Sequence, residues 1–167
     1  MNKTPSLDKI DLKILETLQQ NSRISNLELA NAVGLSPTPC ARRVKRLEDE
    51  KVILSHKTVL NESLLGLKLS ALISISMDRH TPERFEKFEK EISSFPEIVE
   101  CNIVTGQSAD YLLKAILPDM AHYEAFLLGK LTKIDGVSGV HTSFILRKVI
   151  DQKNLPLSHI SNNSINF

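Results

Sequence analysis

The chain has 167 residues, 41% hydrophobic and 25% charged, with 21 Lys and Arg against 20 Asp and Glu for a formal charge of +1. That length and apolar share suit one ordinary domain or two small ones with a real core, and they argue against intrinsic disorder. Six Gly, seven Pro, two Cys and no Trp exclude collagen-like, disulfide-scaffold and aromatic-platform classes; with no apolar run near the roughly 18 residues of a bilayer span, a cytoplasmic protein without membrane contact is expected.

Residues 8–51 predict three short helices. Asp8 is placed to cap the first, followed by Asp11 and an apolar set of Ile10, Ile14, Leu15 and Leu18. Ser25-Asn26-Leu27-Glu28 has the pattern of a capping box, and the helix it opens is expected to pack Leu27, Leu29, Ala30 and Val33 before Gly34 ends it. Ser36 is positioned to cap a third helix with Pro37 at N1 and Pro39 at N3, where neither proline forfeits an intrahelical bond; it runs to about Glu50.

Two helices joined by the turn Val33-Gly34-Leu35-Ser36 make a helix-turn-helix. At 100° per residue, Cys40, Val44 and Leu47 share the apolar face of the third helix. Thr38, Arg42, Lys45 and Arg46 point away from it and Arg43 lies on the flank. An isolated basic run is usually a solvated face. Here it sits on the helix that enters a major groove, where Arg reads guanine edges and Lys neutralises phosphate.

From Ile53 to Leu60 the pattern turns extended, and a turn at Asn61–Gly66 precedes a change of character. The expected organisation is a DNA-binding domain at 1–52, a hinge strand or linker at 53–61, a second domain at 62–151 and a polar tail at 152–167 relieved only by Asn154-Leu155-Pro156-Leu157.

In the second domain, Leu69, Ala71, Ile73, Ile75 and Met77 alternate with Ser70, Leu72, Ser74 and Ser76 as a strand. A Thr81-capped helix follows with Pro82 at N1, the stripe Phe85, Phe88, Ile92 and Phe95, and the exposed pairs Glu83/Lys87 and Glu86/Lys90. Strands are expected at Ile98–Thr105 and Tyr111–Leu117, then an Asp119-capped helix carrying Met120, Tyr123, Phe126, Leu127 and Leu131, and a last strand at Val140–Ile150 after a turn bracketed by Gly136 and Gly139. The fold class is α+β, and the order βαββαβ is ferredoxin-like, with both helices on one face of an antiparallel sheet. Leu72, Val104, Leu112, Ile116 and Ile145 on the other face are too apolar for water, so a second copy is expected to cover them.

Taken together, Leu7-Asp8-Lys9-Ile10-Asp11, Ser25-Asn26-Leu27-Glu28-Leu29-Ala30 and Val33-Gly34-Leu35-Ser36-Pro37-Thr38-Pro39-Cys40 with Arg42-Arg43 resemble the N-terminal half of the Lrp/AsnC (feast/famine) transcriptional regulators. Thr105-Gly106, Asp110-Tyr111-Leu112-Leu113, Pro118-Asp119-Met120, Gly136-Val137, Ser143-Phe144 and Leu155-Pro156-Leu157 are similar to that family's effector-binding half. The resemblance covers residues 7 to about 157. It implies a winged helix-turn-helix, a strand-like hinge and a ferredoxin-like domain that dimerises through its sheet, with dimers often assembling into octamers and a small amino acid modulating assembly or DNA affinity. Carried over, the groove-facing candidates are Ser36, Thr38, Pro39, Arg42, Arg43, Lys45 and Arg46. The effector candidates are Thr105, Gly106, Ser108, Ala109 and Asp110, with Thr142 and Ser143 on the neighbouring strand. Asp110 would accept the ligand's ammonium and backbone N–H groups near Gly106 would meet its carboxylate. The apolar lining favours a leucine- or methionine-like side chain.

This chain departs from the family pattern in two places. Gln107-Ser108-Ala109 puts three residues between Gly106 and Asp110 where two are common, and Lys51 stands where the family usually has Gly, which implies an αL cost or a different helix end.

Plainer readings stand beside these. Asp110 and Gly106 also suit a simple strand turn, Cys40 and Cys101 both read as core residues, and the five His are too dispersed for a metal site. No Walker loop, G-x-S-x-G, H-E-x-x-H or G-x-G-x-x-G occurs, so neither an enzyme nor a cofactor is expected. The alternatives are an amino-acid-sensing assembly module without a direct DNA role, against which the basic third helix argues, and a small ferredoxin-like enzyme, for which the sequence supplies no catalytic motif. Split at the hinge, residues 1–57 carry ten basic and seven acidic side chains and residues 58–167 eleven and thirteen, so a near-neutral total conceals a positive head and an acidic remainder.

Overall fold

The computed structural model describes residues 5–106, 108–151 and 154–161, and it divides into two compact units. One contains residues up to Val59 together with the chain from Asp151 onward; the other is Leu60–Ile150.

The first unit is built on α1 (Lys9–Gln20), α2 (Asn26–Val33) and α3 (Pro37–Asp49). Its helix starts are fixed by short-range chemistry. Asp8 and Asp11 form a reciprocal capping box at α1, and Ser25 and Glu28 form another at α2. Gly34 ends α2 in the left-handed conformation at φ 75°, and the Leu35 N–H closes on Ala30 C=O at 2.9 Å. Ser36 occupies the N-cap position of α3, but its hydroxyl makes no capping bond. Lys51 takes the left-handed conformation at φ 61°, so α3 ends as a glycine would end it. Ile14, Leu15, Leu29, Ala30, Val33, Cys40 and Leu47 form the core. Leu27 is an exception to the expected packing, because at 59% exposed it lies on the outside of α2.

Two expectations for this half change. Residues 54–60 pair with no other strand among the described residues of this unit, so of the strand and linker readings for 53–61 they take the linker form here. The expected polar tail is also partly structural. Leu157 buries itself in the three-helix core, Leu155 exchanges hydrogen bonds with the Gln19 amide (Leu155 N–H to Oε1, 2.6 Å; Nε2 to Leu155 C=O, 3.4 Å), and a single turn, α6, follows at Ser158–Ser161. Of the apolar run Leu155-Pro156-Leu157 only Leu157 is buried, adding its side chain to the small core of three helices, while Leu155 is held through its backbone. The rest of the expected tail, at 152–153 and 162–167, lies outside the described residues.

The second unit is a four-stranded antiparallel sheet in the order β2-β3-β1-β4, with β1 at Leu69–Met77, β2 at Ile98–Ile103, β3 at Tyr111–Leu117 and β4 at Val137–Phe144. The helices α4 (Pro82–Ile92) and α5 (Met120–Gly129) cover one face, and a 3-10 turn at Leu131–Lys133 carries Leu131 inward. Period-two alternation sends Ala71, Ile73, Ile75, Met77, Tyr111, Leu113, Ala115 and Leu117 into that core beside Phe88, Ile92, Tyr123 and Phe126. Thr81 and Asp119 cap the two helices as expected.

The departures here are local. Strand β4 begins three residues earlier than expected and ends at Phe144, leaving 145–150 outside it. Met120 is exposed, and Cys101 is exposed on the edge strand β2, where no second ladder covers it. Lys87 leaves the helix-surface pairing and joins Arg84 on Asp135. On the open face Leu72 is exposed, and Leu112, Ile116, Val104 and Ile145 are half-buried.

Candidate functional site

The outer face of α3 carries Thr38, Ala41, Arg42 and Lys45, all exposed; with Asn26 of α2 and Pro37 they line a shallow concavity of about 370 Å³, and Arg42 also borders a separate one of about 460 Å³ lined by Asp8, Pro39, Arg43 and Arg46. Asn26 escaped the sequence reading. Its Nδ2 donates to Pro37 C=O at 2.9 Å and so locks α2 to the first turn of α3. The signal available was an amide at the first position of a capped helix, opposite a proline that leaves a carbonyl to satisfy.

The expected basic set divides in two. Among the described residues no ion pair engages Arg42 or Lys45, whereas Arg43 and Arg46 are turned toward α1. Arg43 Nη1 lies 2.7 Å from both Asp8 Oδ2 and Asp11 Oδ1, and Arg46 Nη2 bonds Asp11 Oδ2. Asp11 is 1% exposed at its side chain, the one buried charged residue of the described chain. Its carboxylate also accepts the Asp8 backbone N–H at 3.1 Å, so the charge is met on all sides, as a buried ion must be. The backbone N–H of Asp11, helped by the Arg43 guanidinium, holds Asp8 below the usual carboxylate range, and the hydrogen bonds that Arg43 donates to Asp8 and then to Asp11 raise its own pKa. Pro39 shares the Arg43 side of the helix, and Ser36 stands exposed at its start. Of the seven candidates, then, Ser36, Thr38, Arg42 and Lys45 face outward, while Pro39, Arg43 and Arg46 form a flank.

In the sheet unit the β2–β3 loop meets the end of β1. Gly106 adopts φ 83°, which only glycine enters without strain, and Thr105, Gly106 and Ser108 are exposed. Ala109 is buried, so it anchors the loop instead of lining it. Gln107 lies outside the described residues. Asp110 is tied down by its backbone (N–H to Ile75 C=O, 2.8 Å; C=O from Val104 N–H, 3.0 Å) and by its carboxylate, which accepts the Met77 N–H at 2.7 Å on Oδ2 and meets His80 Nε2 at 2.7 Å on Oδ1. Its side chain stays 20% exposed and His80 lies mostly in solvent, so one carboxylate oxygen terminates the strand while the other faces an exchangeable partner. The turn-capping and ammonium-accepting readings of Asp110 thus use different oxygens. His80 is the second residue that sequence reasoning missed, since nothing in the spacing of His80 and Asp110 announces a contact made by the sheet.

Thr142 and Ser143 do not act together. Neighbours on β4, they point to opposite faces: Thr142 accepts from Tyr123 Oη at 2.6 Å on the helix side, and Ser143 lies on the open side across from Leu72. Thr142 borders a concavity of about 450 Å³ with Tyr123, Leu127, Val137 and Ser138. A second concavity of about 460 Å³ lies between α4 and β2. At its rim, desolvation and the Glu89 charge raise the Cys101 pKa, which keeps that sulfur a thiol. No group of three metal-ligating side chains occurs among the described residues, and no described helix is long and apolar enough to cross a membrane.

A family model described as Lrp/AsnC ligand binding domain matches residues 70–155, and one described as winged helix-turn-helix DNA-binding matches residues 7–53. Over 144 residues, 86% of each chain, the sequence is 44% identical to the leucine-responsive regulatory protein of Haemophilus influenzae. The chain belongs to the Lrp/AsnC family. Another relative, the Bkd operon transcriptional regulator of Pseudomonas aeruginosa, is 41% identical over 90% of this chain and 98% of its own length. A transcriptional regulator of Neisseria meningitidis, solved as its L-Met complex, is 38% identical and superposes with a TM-score of 0.89 over 93% of this chain and 99% of that one. As an Lrp/AsnC member the chain is a transcriptional regulator and not an enzyme, with a helix-turn-helix DNA-binding module followed by an α+β ligand-binding module.

Proposed function

We propose that this regulator binds a roughly palindromic operator as a dimer or higher assembly, each protomer laying α3 into a major groove, and that a small amino acid tunes its assembly or DNA affinity. The observation that carries the DNA reading is the outward pair Arg42 and Lys45, which no carboxylate among the described residues engages, on the second helix of a helix-turn-helix. Thr38 and Ser36 supply hydroxyls at the same end. Two such helices about one helical turn apart on a dimer match successive grooves. The apolar open face of the sheet, with Leu72, Leu112 and Ile116, supports pairing with a second copy, and assembly of four such dimers into an octamer extends the reading.

The effector reading rests on the β2–β3 loop. Asp110 Oδ1 is the acceptor for an ammonium group, the loop at the left-handed Gly106 is where backbone N–H groups would meet a carboxylate, and a leucine- or methionine-like side chain is favoured, the class to which the L-Met bound by the Neisseria regulator belongs.

Operator binding at fixed salt tests the first reading. Arg42→Ala is expected to weaken it by about 1–3 kcal/mol, and unchanged affinity would sink the assignment. A thermal-shift screen against the twenty amino acids tests the second, because a ligand bound only by the native state raises its stability. The responding amino acid should lose its shift in Asp110→Ala while basal DNA binding persists, and a retained shift refutes the ammonium role.

A further inference from the structure

Four cations lie within five positions of α3, yet only two of them are presented outward. Non-specific DNA binding grows with the number of cations that reach phosphate, and each phosphate neutralised steepens the dependence of log affinity on log salt by about 0.9. Selectivity is the difference between specific and non-specific binding, so it improves when cations that carry no base information are withheld. The buried carboxylate of Asp11 does this for two arginines at once, and it can do so because it is fixed. It sits at the third position of α1, inside the Asp8 capping box, with the Asp8 backbone N–H on the same oxygen that takes Arg46.

We propose that Asp11 is a positioning residue for DNA discrimination: it holds Arg43 and Arg46 at the flank of α3, away from phosphate, and leaves Arg42 and Lys45 to meet the duplex. The proposal rests on the reading of α3 as the DNA face. The two arginines are not held alike. Arg43 bridges two carboxylates, whereas Arg46 is secured at Nη2 alone and its Nε is buried without a partner, so Arg46 is the one that departs first when the charge at Asp11 is removed.

The test is a double-mutant cycle read as salt slope on random-sequence duplex DNA, with operator affinity measured in parallel. Asp11→Asn keeps the side chain's size and an acceptor for Asp8, but it drops the charge. The expected result is tighter random-sequence binding, a slope steeper by about one to two, and a smaller ratio of operator to random-sequence affinity. In the Arg43→Gln/Arg46→Gln background the same Asp11→Asn change should leave the slope unaltered. Loss of a nearby negative charge alone would act equally in both backgrounds, and that outcome overturns the proposal. So does a lower melting temperature for Asp11→Asn with no change in slope, which is all that a merely structural role produces. Should Asp11→Asn fail to fold, the double-glutamine variant answers by itself. Its slope should equal that of the unaltered protein, and a slope shallower by about two means that the arginines already lie on phosphate. If the unaltered protein shows no salt-dependent DNA binding, the DNA reading of α3 falls first and is identified as the cause.

Discussion

Each unit of this regulator places a carboxylate at the root of its functional surface, and the two are treated in opposite ways. In the helical unit Asp11 is sealed, with two arginines and a backbone N–H around it. In the sheet unit Asp110 has one oxygen closed by a backbone N–H and the other set against the solvent-facing His80. A buried charge whose partners cannot leave without a large desolvation cost fixes geometry, while a half-open one can exchange partners with a ligand. The proposed DNA-reading surface is thus stiffened from beneath, and the proposed effector loop retains a replaceable contact.

The contrast extends to the cores, and four measurements sharpen or break it. The largest effect is expected from Phe88→Ala. Phe88 is fully buried at the centre of the sheet unit, stacked 4.5 Å from Tyr111, and its truncation should cost about 3–5 kcal/mol in denaturant unfolding. A cost under 1 kcal/mol would mean that the sheet core is not the rigid part. Next, Leu157→Ala should remove about 2 kcal/mol, the low end for a buried leucine because it lies at the margin of its cluster. Hydrogen exchange should place that loss in α1–α3 and not in the strands; uniform loss would contradict the assignment of this segment to the helical unit.

Smaller and of opposite sign, Lys51→Gly should raise stability by up to about 1 kcal/mol, since it relieves the left-handed backbone at the end of α3 without removing a contact that the helix needs. Last comes pH. Asp8 is held below the usual carboxylate range by the Asp11 N–H and by Arg43, so its contribution is present above about pH 4 and is lost as pH falls through its lowered value. Tyr111, desolvated and donating to Glu89 at 2.9 Å, is pushed above the usual phenol range, so its contribution holds below about pH 10 and fades as pH rises through the raised value. Amide probes in α1 should therefore weaken first in acid and those in β3 first in alkali. Coincident loss in both units at both extremes would erase the difference.

Much of this was legible in the amino-acid sequence because it is local. Helix caps reach only three residues along the chain, so the capping boxes at Asp8 and Ser25 and the N-caps Thr81 and Asp119 announce helix starts directly. Alternation in β1 and the stripe of α4 likewise needed no tertiary knowledge. What escaped depends on residues distant in the chain. A helical wheel shows that Arg46 avoids the apolar face, but it cannot show that a carboxylate 35 residues earlier waits beside it. The same blindness applies to His80 with Asp110 and to Leu157 in the helical core. Wheel arguments also overstate burial at the ends of short helices, which is why Leu27 and Met120 turned out exposed, and alternation alone does not reveal that β2 is an edge strand, which leaves Cys101 exposed.

The seating of Leu155 and Leu157 has a further consequence, in the order of synthesis. Leu155 and its partner Gln19 are separated by 136 residues, so the helical unit begins to leave the ribosome before the sheet unit and is finished after it. The sheet unit, continuous in sequence, can close before the final segment emerges, whereas the head must wait with an apolar seam uncovered. A nascent chain of this regulator therefore acquires its ligand-binding body before its DNA-binding head is complete, and a message cut short before residue 155 yields a body whose head lacks that seal.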